Sequence, residues 1–279
     1  MSDSETSERL LRFACEWAVS IEESFETESS LIAFGKRADQ PIVLKVVKVA
    51  DEWHSGEVLN AFAENGVVRV YEHAPGALLL ERLSPASSLA ELSLNDDGQA
   101  TDILADVIAR MSAAAFDRAK VPHCSTVEDW GKGFDRYLAA NHQQLPKQLV
   151  AEAQSVFARL CASQRRPRLL HGDLQHFNVV FDSTRGWLAI DPKGVIGEVE
   201  YEIGAILRNP SAEYFTDATI ERRVKQFTTK LNLDRERTLA WGFAQAVLSA
   251  IWLIEDGYEA HQMNVTLQLA AVLRSMTSY

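Results

Sequence analysis

The segment from His171 to Asp191 constrains the fold of this chain more than any other. It reads HGDLQHFNVVFDSTRGWLAID, in which two short apolar runs, VVF and LAI, each adjoin polar side chains. Apolar runs of this length between turn residues predict buried strands. Burying Asn178 and Asp191 beside them costs free energy unless these side chains are used. The segment therefore predicts a loop and two strands that aim Asp173, Asn178 and Asp191 into one cleft.

Those three side chains suit phosphoryl transfer. A hydroxyl nucleophile must be oriented and must lose its proton, and the Asp173 carboxylate is the expected acceptor of that proton. Mg²⁺ is a hard ion that prefers oxygen ligands, which Asn178 and Asp191 supply. Each residue alone also suits an ordinary loop or turn, so the hypothesis depends on the whole set.

Lys45 supplies a counterpart earlier in the chain. It lies in the apolar, β-branched run IVLKV, where a buried ammonium group needs a partner. In kinases, a lysine on such a strand holds the ATP phosphates and pairs with a helical glutamate. Glu57, in the predicted helix Glu52–Glu64, is the expected partner, and Glu52 is the weaker candidate. The alternative is an edge-strand lysine that extends its ammonium group into solvent.

Hydrophobic periodicity predicts an α+β fold of two lobes. A leading helix, Glu5–Val19, and a small antiparallel sheet with one inserted helix form an amino-terminal lobe, residues 1–83. A larger, mostly helical lobe, residues 84–279, follows, and a ligand is expected in the cleft between them. The predicted strands are Ser24–Phe34, Ile42–Val49, Val67–His73 and Ala77–Leu83. The later helices are Thr101–Ala115, Val127–Asn141, Gln148–Ser163, Thr219–Leu231, Arg235–Glu255 and His261–Arg274.

Composition narrows the class of partner. The net charge of −11 repels nucleic acid and anionic lipid and suits a cationic ligand. Apolar runs fall short of the roughly 18 residues that span a bilayer. The polar start, MSDSETSERL, is unlike a signal peptide. A cytoplasmic enzyme without nucleic-acid or membrane partners is expected, and the dispersed Cys15, Cys124 and Cys161 predict reduced thiols.

These motifs resemble those of the aminoglycoside phosphotransferase family, which has a protein-kinase-like fold. HGDLQHFN and IDPKGVIGE are similar to the family signatures HGDLHxxN and IDPxGxxGE, with Gln175 where the first has its second histidine. LLLERLSP resembles the interlobe hinge. Within the family, the likeness is greatest to the streptomycin 6-kinases, also described as aminoglycoside/hydroxyurea resistance kinases.

The resemblance implies ATP and Mg²⁺ as cofactors and a role for each matching residue. The implied catalytic residues are Asp173, as the base, and His171. The implied magnesium ligands are Asn178 and Asp191. The implied ATP-binding residues are Lys45, Glu57, Ser29, Ser30, Glu81 and Leu83, of which Glu81 and Leu83 contact adenine through their backbones.

The resemblance also implies an acceptor. It is a cationic aminocyclitol antibiotic, expected to be streptomycin phosphorylated at its 6-hydroxyl, and such a ligand needs carboxylates. The candidate acceptor-binding residues are Glu200, Glu202, Glu255, Asp256 and Glu259. Acidic residues at a helix start or in solvent are the alternative for them. Trp241 and Trp252 are expected in the core rather than in the site.

A protein substrate is disfavoured. Only a short interval separates Asp191 from Glu200, which leaves no room for a peptide-binding activation segment, and the glycine-rich loop of protein kinases is absent. Three alternatives stay open at this point. They are a kinase of a small metabolite such as a sugar or a choline-like alcohol, a non-catalytic nucleotide-binding module, and a metal-dependent phosphoesterase.

Overall fold

The computed structural model describes residues 3–140, 142–211, 216–258 and 260–277, and it has the predicted α+β architecture, with an antiparallel sheet in the amino-terminal lobe and a mostly helical carboxy-terminal lobe. In the amino-terminal lobe, one helix packs on a five-stranded antiparallel sheet of order β1-β2-β3-β5-β4. The helix is α1 (Asp3–Glu16). The strands are β1 (Val19–Glu26), β2 (Ser30–Arg37), β3 (Gln40–Val47), β4 (Val70–Ala74) and β5 (Ala77–Glu81).

Both faces of this sheet are covered, which explains why its central strands are so apolar. Side chains alternate between faces along a strand. Leu44 and Leu79 therefore pack against α1, whereas Leu78 and Leu80 belong to the main core on the other side. Lys45 follows Leu44 in β3 and consequently faces the cleft rather than α1. Because β3 is an inner strand and Lys45 is buried, the solvent-facing alternative for Lys45 is wrong.

Two predicted elements of this lobe are corrected. The run Ser24–Phe34 is not one strand, because a turn divides it: the Thr27 N–H donates to the Ser30 carbonyl at 2.8 Å. The predicted helix Glu52–Glu64 is also shorter. It consists of one 3₁₀ turn, Ala50–Glu52, followed by α2 (Ser55–Ala61).

The carboxy-terminal lobe is mostly helical, with two small sheets. Its helices are α3 (Leu89–Ser93), α4 (Asp97–Ala113), α5 (Val127–Ala139), α6 (Lys147–Ala162), α7 (Val199–Leu207), α8 (Asp217–Leu231), α9 (Arg235–Glu255) and α10 (Ala260–Met276). One sheet has the order β10-β9-β6, formed by Gly186–Ala189, Val179–Asp182 and Pro85–Ser88. The other has the order β7-β11-β8, formed by Ser125–Thr126, Val195–Gly197 and Arg168–Leu170.

Helix α9 is the central element of this lobe. By length and composition it is apolar enough to cross a membrane, but 72% of its apolar 18-residue stretch is buried inside the fold. Trp241 and Phe243 are fully buried on it, as expected for a core helix. Trp252, near its end, is partly buried: it packs against the core as expected, but it also borders a cavity. The three cysteines form no disulfide.

Candidate active site

The loop between β8 and β9 carries Asp173 and is held from below by a buried carboxylate. Glu202, on α7, accepts the His171 N–H at 2.6 Å and the Gly172 N–H at 3.0 Å. Burial raises the pKa of Glu202 to about 7, although these backbone donors and that of Leu174 oppose the rise. Glu202 therefore supports the catalytic loop, and its predicted contact with an acceptor is wrong because its side chain is committed and inaccessible.

His171 links the loop to the strand that carries Asp191. Its Nε2 lies 2.8 Å from the Ile190 carbonyl, and its Nδ1 accepts the Asp173 N–H at 3.3 Å. Burial lowers the pKa of His171 to about 4, so the ring is neutral, with the proton on Nε2. The imidazole thus positions the backbone on both sides of the site.

Asp173 lies on the same loop, close to two cationic side chains. Burial raises the pKa of its carboxyl group, and the nearby cations Lys193 and Arg208 partly offset the rise. The Asn178 amide donates from Nδ2 to the Asp173 carbonyl at 2.9 Å and, more weakly, to its Oδ2 at 3.4 Å. With its N–H groups directed at Asp173, Asn178 keeps its amide oxygen for another partner.

Asp191 adopts a rare backbone conformation. Its φ of +57° lies in the left-handed region, which is uncommon for residues other than glycine, although Asp adopts it more often than most. The preceding Ile190 N–H donates to the Asn178 carbonyl at 2.9 Å, so the two residues lie on adjacent backbone segments. Together, the Asp191 carboxylate and the Asn178 amide oxygen form the kind of hard oxygen donor set that fits Mg²⁺.

Lys45 reaches this group from the other lobe. Its Nζ lies 2.9 Å from Asp191 Oδ1 and 3.0 Å from Glu52 Oε2. Burial lowers the pKa of Lys45, but the charges of Asp191 and Glu52 outweigh it and the net shift is upward. The sequence thus correctly predicted that Asp173, Asn178, Asp191 and Lys45 converge.

The expected partner of Lys45 is corrected. Glu57 contacts His54 at 3.0 Å and His123 at 2.9 Å instead of Lys45. The physical reason is the short 3₁₀ turn, which ends at Glu52 beside β3, whereas Glu57 lies one turn further along and faces the carboxy-terminal lobe. Hydrogen bonds from the two histidines outweigh burial and lower the pKa of Glu57.

An apolar cavity of about 740 Å³ lies between the lobes, with Lys45 and Asp191 in its wall. Its apolar walls include Ile32, Phe34, Val43, Leu80, Val180 and Ile190. Glu81 and Leu83, the predicted hinge residues, also border it. Ser29 lies in the turn between β1 and β2, and Ser30 is the first residue of β2, close to where a covering loop was predicted. Neither serine is among the described residues that line this cavity.

A second, more polar cavity of about 580 Å³ borders Asp173. Its wall contains the carboxylates Asp51, Asp129 and Asp256 and the side chains of Lys193, Arg208 and Gln245. Trp130 and Trp252 form part of the same wall and meet edge to face, with 5.7 Å between ring centroids. A cavity of this kind suits a polar ligand with cationic groups and flat or ring-shaped surfaces.

The predicted acceptor-binding residues divide sharply. Asp256 borders the second cavity. Glu255 is instead held by Arg136, whose Nε and Nη2 each lie 3.1 Å from its carboxylate. Glu200 is absent from the described lining of that cavity, and Glu259 lies outside the described residues.

Several lining residues escaped sequence reasoning. The sequence around Asp129 indicates only the start of a helix, because Thr126 and Asp129 form a reciprocal capping box at the start of α5. Asp51, Lys193 and Arg208 belong to separate segments with no shared motif. Of these residues, only Lys193 could have been noticed in the sequence, because it lies two residues after Asp191 within the segment IDPKGVIGE.

A sequence model of the family described as aminoglycoside/hydroxyurea antibiotic resistance kinase matches residues 16–257. The chain belongs to this family. It is 36% identical over 242 residues to streptomycin 3''-kinase of Klebsiella pneumoniae, covering 84% of this chain and 88% of that protein. It is 29% identical over 241 residues to streptomycin 6-kinase of Streptomyces glaucescens, covering 84% of this chain and 78% of that protein.

A solved structure supports the same fold. The choline kinase LicA from Streptococcus pneumoniae matches this kinase with a TM-score of 0.68 at 16% identity, covering 98% of this chain and 100% of that chain. At this identity the likeness concerns the fold alone. Family membership makes the protein an ATP-dependent phosphotransferase that acts on an alcohol group, which rules out the non-catalytic module and the phosphoesterase.

Proposed function

We propose that this kinase transfers the γ-phosphoryl group of ATP to a hydroxyl group of streptomycin. The observation that carries the proposal is the second cavity, which brings carboxylates from three separate segments to the neighbourhood of Asp173: Asp256, for which no salt bridge is described, and Asp51 and Asp129, which also contact Lys193 and Lys132. Streptomycin carries guanidinium groups and many hydroxyl groups. Charge-assisted hydrogen bonds from guanidinium to carboxylate are strong and directional. Trp130 and Trp252 add surfaces against which a sugar ring or a cation packs.

The first cavity is the proposed ATP site. Its apolar walls suit adenine, and the backbones of Glu81 and Leu83 are the proposed contacts to the edge of the base. Lys45, oriented by Glu52, is the proposed contact to the ATP phosphates. We retain Ser29 and Ser30 only as members of the turn above the phosphates. Glu57 has no part in this site, because it is bound to His54 and His123.

Asp191 and the Asn178 amide oxygen are the proposed ligands of Mg²⁺. When bound, this ion neutralises charge on the β- and γ-phosphates. Lys45 shares the Asp191 carboxylate and so couples the two lobes to the same phosphates. Asn178 also holds Asp173 through its N–H groups, which fixes the distance between the base and the ion-binding carboxylate.

Asp173 is the proposed proton acceptor. The acceptor hydroxyl donates its hydrogen bond to the Asp173 carboxylate, which orients the oxygen towards the γ-phosphorus. The new oxygen–phosphorus bond forms as the bond to ADP breaks. The hydroxyl proton passes to Asp173, and the electron pair of the broken bond leaves with ADP.

The position of the phosphorylated hydroxyl is a finer question. The sequence predicted the 6-hydroxyl, but identity is higher with the 3''-kinase of K. pneumoniae, 36% against 29% for the 6-kinase of S. glaucescens. We therefore propose the 3''-hydroxyl. The family description also includes hydroxyurea, but that molecule is small and uncharged. A cavity of about 580 Å³ with several carboxylates suits it poorly.

The test is to incubate the enzyme with ATP, Mg²⁺ and streptomycin, and to identify the product by mass spectrometry and NMR. We expect one added phosphoryl group, with the phosphorus coupled to the proton at C3''. Hydroxyurea and choline serve as alternative acceptors under the same conditions, and Asp173→Asn serves as the inactive control. If streptomycin stays unmodified while hydroxyurea or choline is phosphorylated, the proposed acceptor is refuted. If the phosphorus couples to the proton at C6, the proposed position is refuted.

A further inference from the structure

Two cations stand beside Asp173 in a cavity that otherwise suits a cationic ligand. Arg208 directly follows α7, and Lys193 follows the Asp191 motif, and both border the same cavity as Asp173. Cations there repel a positively charged acceptor, so acceptor binding does not explain them. Lys193 is paired with Asp51, but Arg208 has no described salt-bridge partner, which leaves its guanidinium for an anionic group that enters during the reaction.

The Arg208 guanidinium is held in place by a hydrogen bond to a buried side chain. Its Nη1 donates to Gln245 Oε1 at 3.0 Å, and Gln245 itself is buried on α9. Glycine at position 204 makes room for this contact, because a Cβ there would lie 1.8 Å from Gln245 Oε1. Both described hydrogen bonds of Arg208 use Nη1. Its Nε and Nη2 donors therefore remain for a ligand.

No described carboxylate forms a salt bridge with Arg208. Burial lowers the pKa of the guanidinium, and the charge of Asp173 partly offsets this. Leaving a half-buried cation without a described ion-pair partner costs free energy, so such a group is expected to serve a ligand. Arg136, in the same cavity, differs because Glu255 neutralises it.

Lys193 approaches from the interlobe side. Its Nζ lies 2.9 Å from Asp51 Oδ2, which orients the ammonium group across the cleft. Lys193 and Asp173 border the same cavity, so the ammonium group held by Asp51 lies beside the path of a group that reaches Asp173.

We propose that Arg208 and Lys193 form a phosphoryl-binding subsite that contacts the γ-phosphoryl group as it passes from ATP to the acceptor. The inference rests on the proposed function, in that the transferred group must cross from the first cavity into the second beside Asp173. A guanidinium with free Nε and Nη2 donors matches two phosphoryl oxygens at once. Such donors stabilise charge that develops in the transition state more than they stabilise bound substrate.

The test uses ATP hydrolysis, in which water replaces the acceptor, so that it does not depend on the identity of the acceptor. Arg208→Met should lower the hydrolysis rate at saturating ATP by about 10²–10³-fold with little change in ADP affinity. Arg208→Lys should recover part of the rate, and added guanidinium chloride should partly restore Arg208→Ala. Arg274→Met, which removes an exposed arginine paired with Glu152 outside both cavities, is the control for loss of a positive charge.

The outcomes separate this inference from the proposed function. If the wild type does not phosphorylate streptomycin but Arg208→Met still loses ATP hydrolysis, the subsite stands and the acceptor is wrong. If folded Arg208→Met hydrolyses ATP at the wild-type rate, the proposed subsite is overturned, even if the enzyme phosphorylates streptomycin. Should Arg208→Met fail to fold, Lys193→Met decides: we expect about a tenfold loss, and an unchanged rate overturns the proposal.

Discussion

The two cavities, one bordered by Asp191 and the other by Asp173, are built in different ways. The apolar cavity is bordered mainly by neighbouring strands of one sheet and by the hinge that follows β5. The polar cavity collects single side chains from the 3₁₀ turn at Ala50–Glu52, from α5, from the end of α7 and from α9. The nucleotide side is thus encoded in short continuous stretches, whereas the acceptor side exists only once distant segments have packed together.

The His171–Asp173 loop connects the walls of the two cavities, since Gly172 and Asp173 border the polar cavity and His171 contacts Ile190, which borders the apolar one. His171 contacts the Ile190 carbonyl on the nucleotide side and the Asp173 N–H on the acceptor side. Changes in this loop should affect both nucleotide binding and acceptor binding. Changes in the wall of one cavity should affect only the ligand proposed for that cavity. The following predictions test that separation.

The largest effect is expected at the shared residue. Asp173→Asn removes the proposed proton acceptor but keeps the size and most hydrogen bonds of the side chain, so the turnover number should fall by about 10²–10⁴-fold. ADP affinity, measured by calorimetry, should stay within about twofold of wild type. A large loss of ADP affinity would show that Asp173 belongs to the nucleotide wall.

His171 should make stability depend on pH. Its folded pKa of about 4 lies below its unfolded value near 6.5, so its contribution is complete above pH 6.5 and is lost as the pH falls towards 4. The loss amounts to about 3 kcal/mol. Urea unfolding of the wild type and of His171→Asn across this range measures it. Identical pH profiles for the two proteins would contradict the prediction.

Lys45 should affect the nucleotide wall alone. Lys45→Ala should raise KM for ATP by about 10–100-fold, because it removes a charge-assisted contact, while acceptor binding to the free enzyme is unchanged. Glu52→Gln and Glu57→Gln form a matched pair of variants. Only Glu52→Gln should raise KM for ATP, since Glu52 lies 3.0 Å from Lys45. The reverse result would restore the pairing that the sequence predicted.

The smallest effect is expected in the acceptor wall. Asp256→Asn should raise KM for streptomycin by about tenfold, with KM for ATP unchanged. Glu255→Gln is the matched comparison, because its carboxylate is already held by Arg136 at 3.1 Å and the pair is partly exposed. Its effect should stay below about threefold. Equal increases in KM for streptomycin in the two variants, measured by steady-state kinetics, would contradict the prediction that Asp256 binds the acceptor and Glu255 does not.

Sequence reasoning succeeded where the signal was local. The α+β class, the order of the main helices and the convergence of Asp173, Asn178 and Asp191 all follow from apolar runs joined to polar residues. It failed where two local readings competed. The glutamate that pairs with Lys45 depended on the length of one helical turn, and Glu202 has the sequence context of an ordinary helix start although it holds the catalytic loop.

By itself, the sequence determined the lobes, the strand–loop–strand segment around Asp173 and the chemistry that its oxygen and amide groups support. It did so because hydrophobic periodicity and motif spacing act over a few residues. Only the tertiary structure decided that Asp51, Asp129 and Asp256 share one cavity and that Arg208 lacks a described salt-bridge partner. Those facts depend on how helices from distant parts of the chain pack, and packing aligns side chains that no local pattern connects.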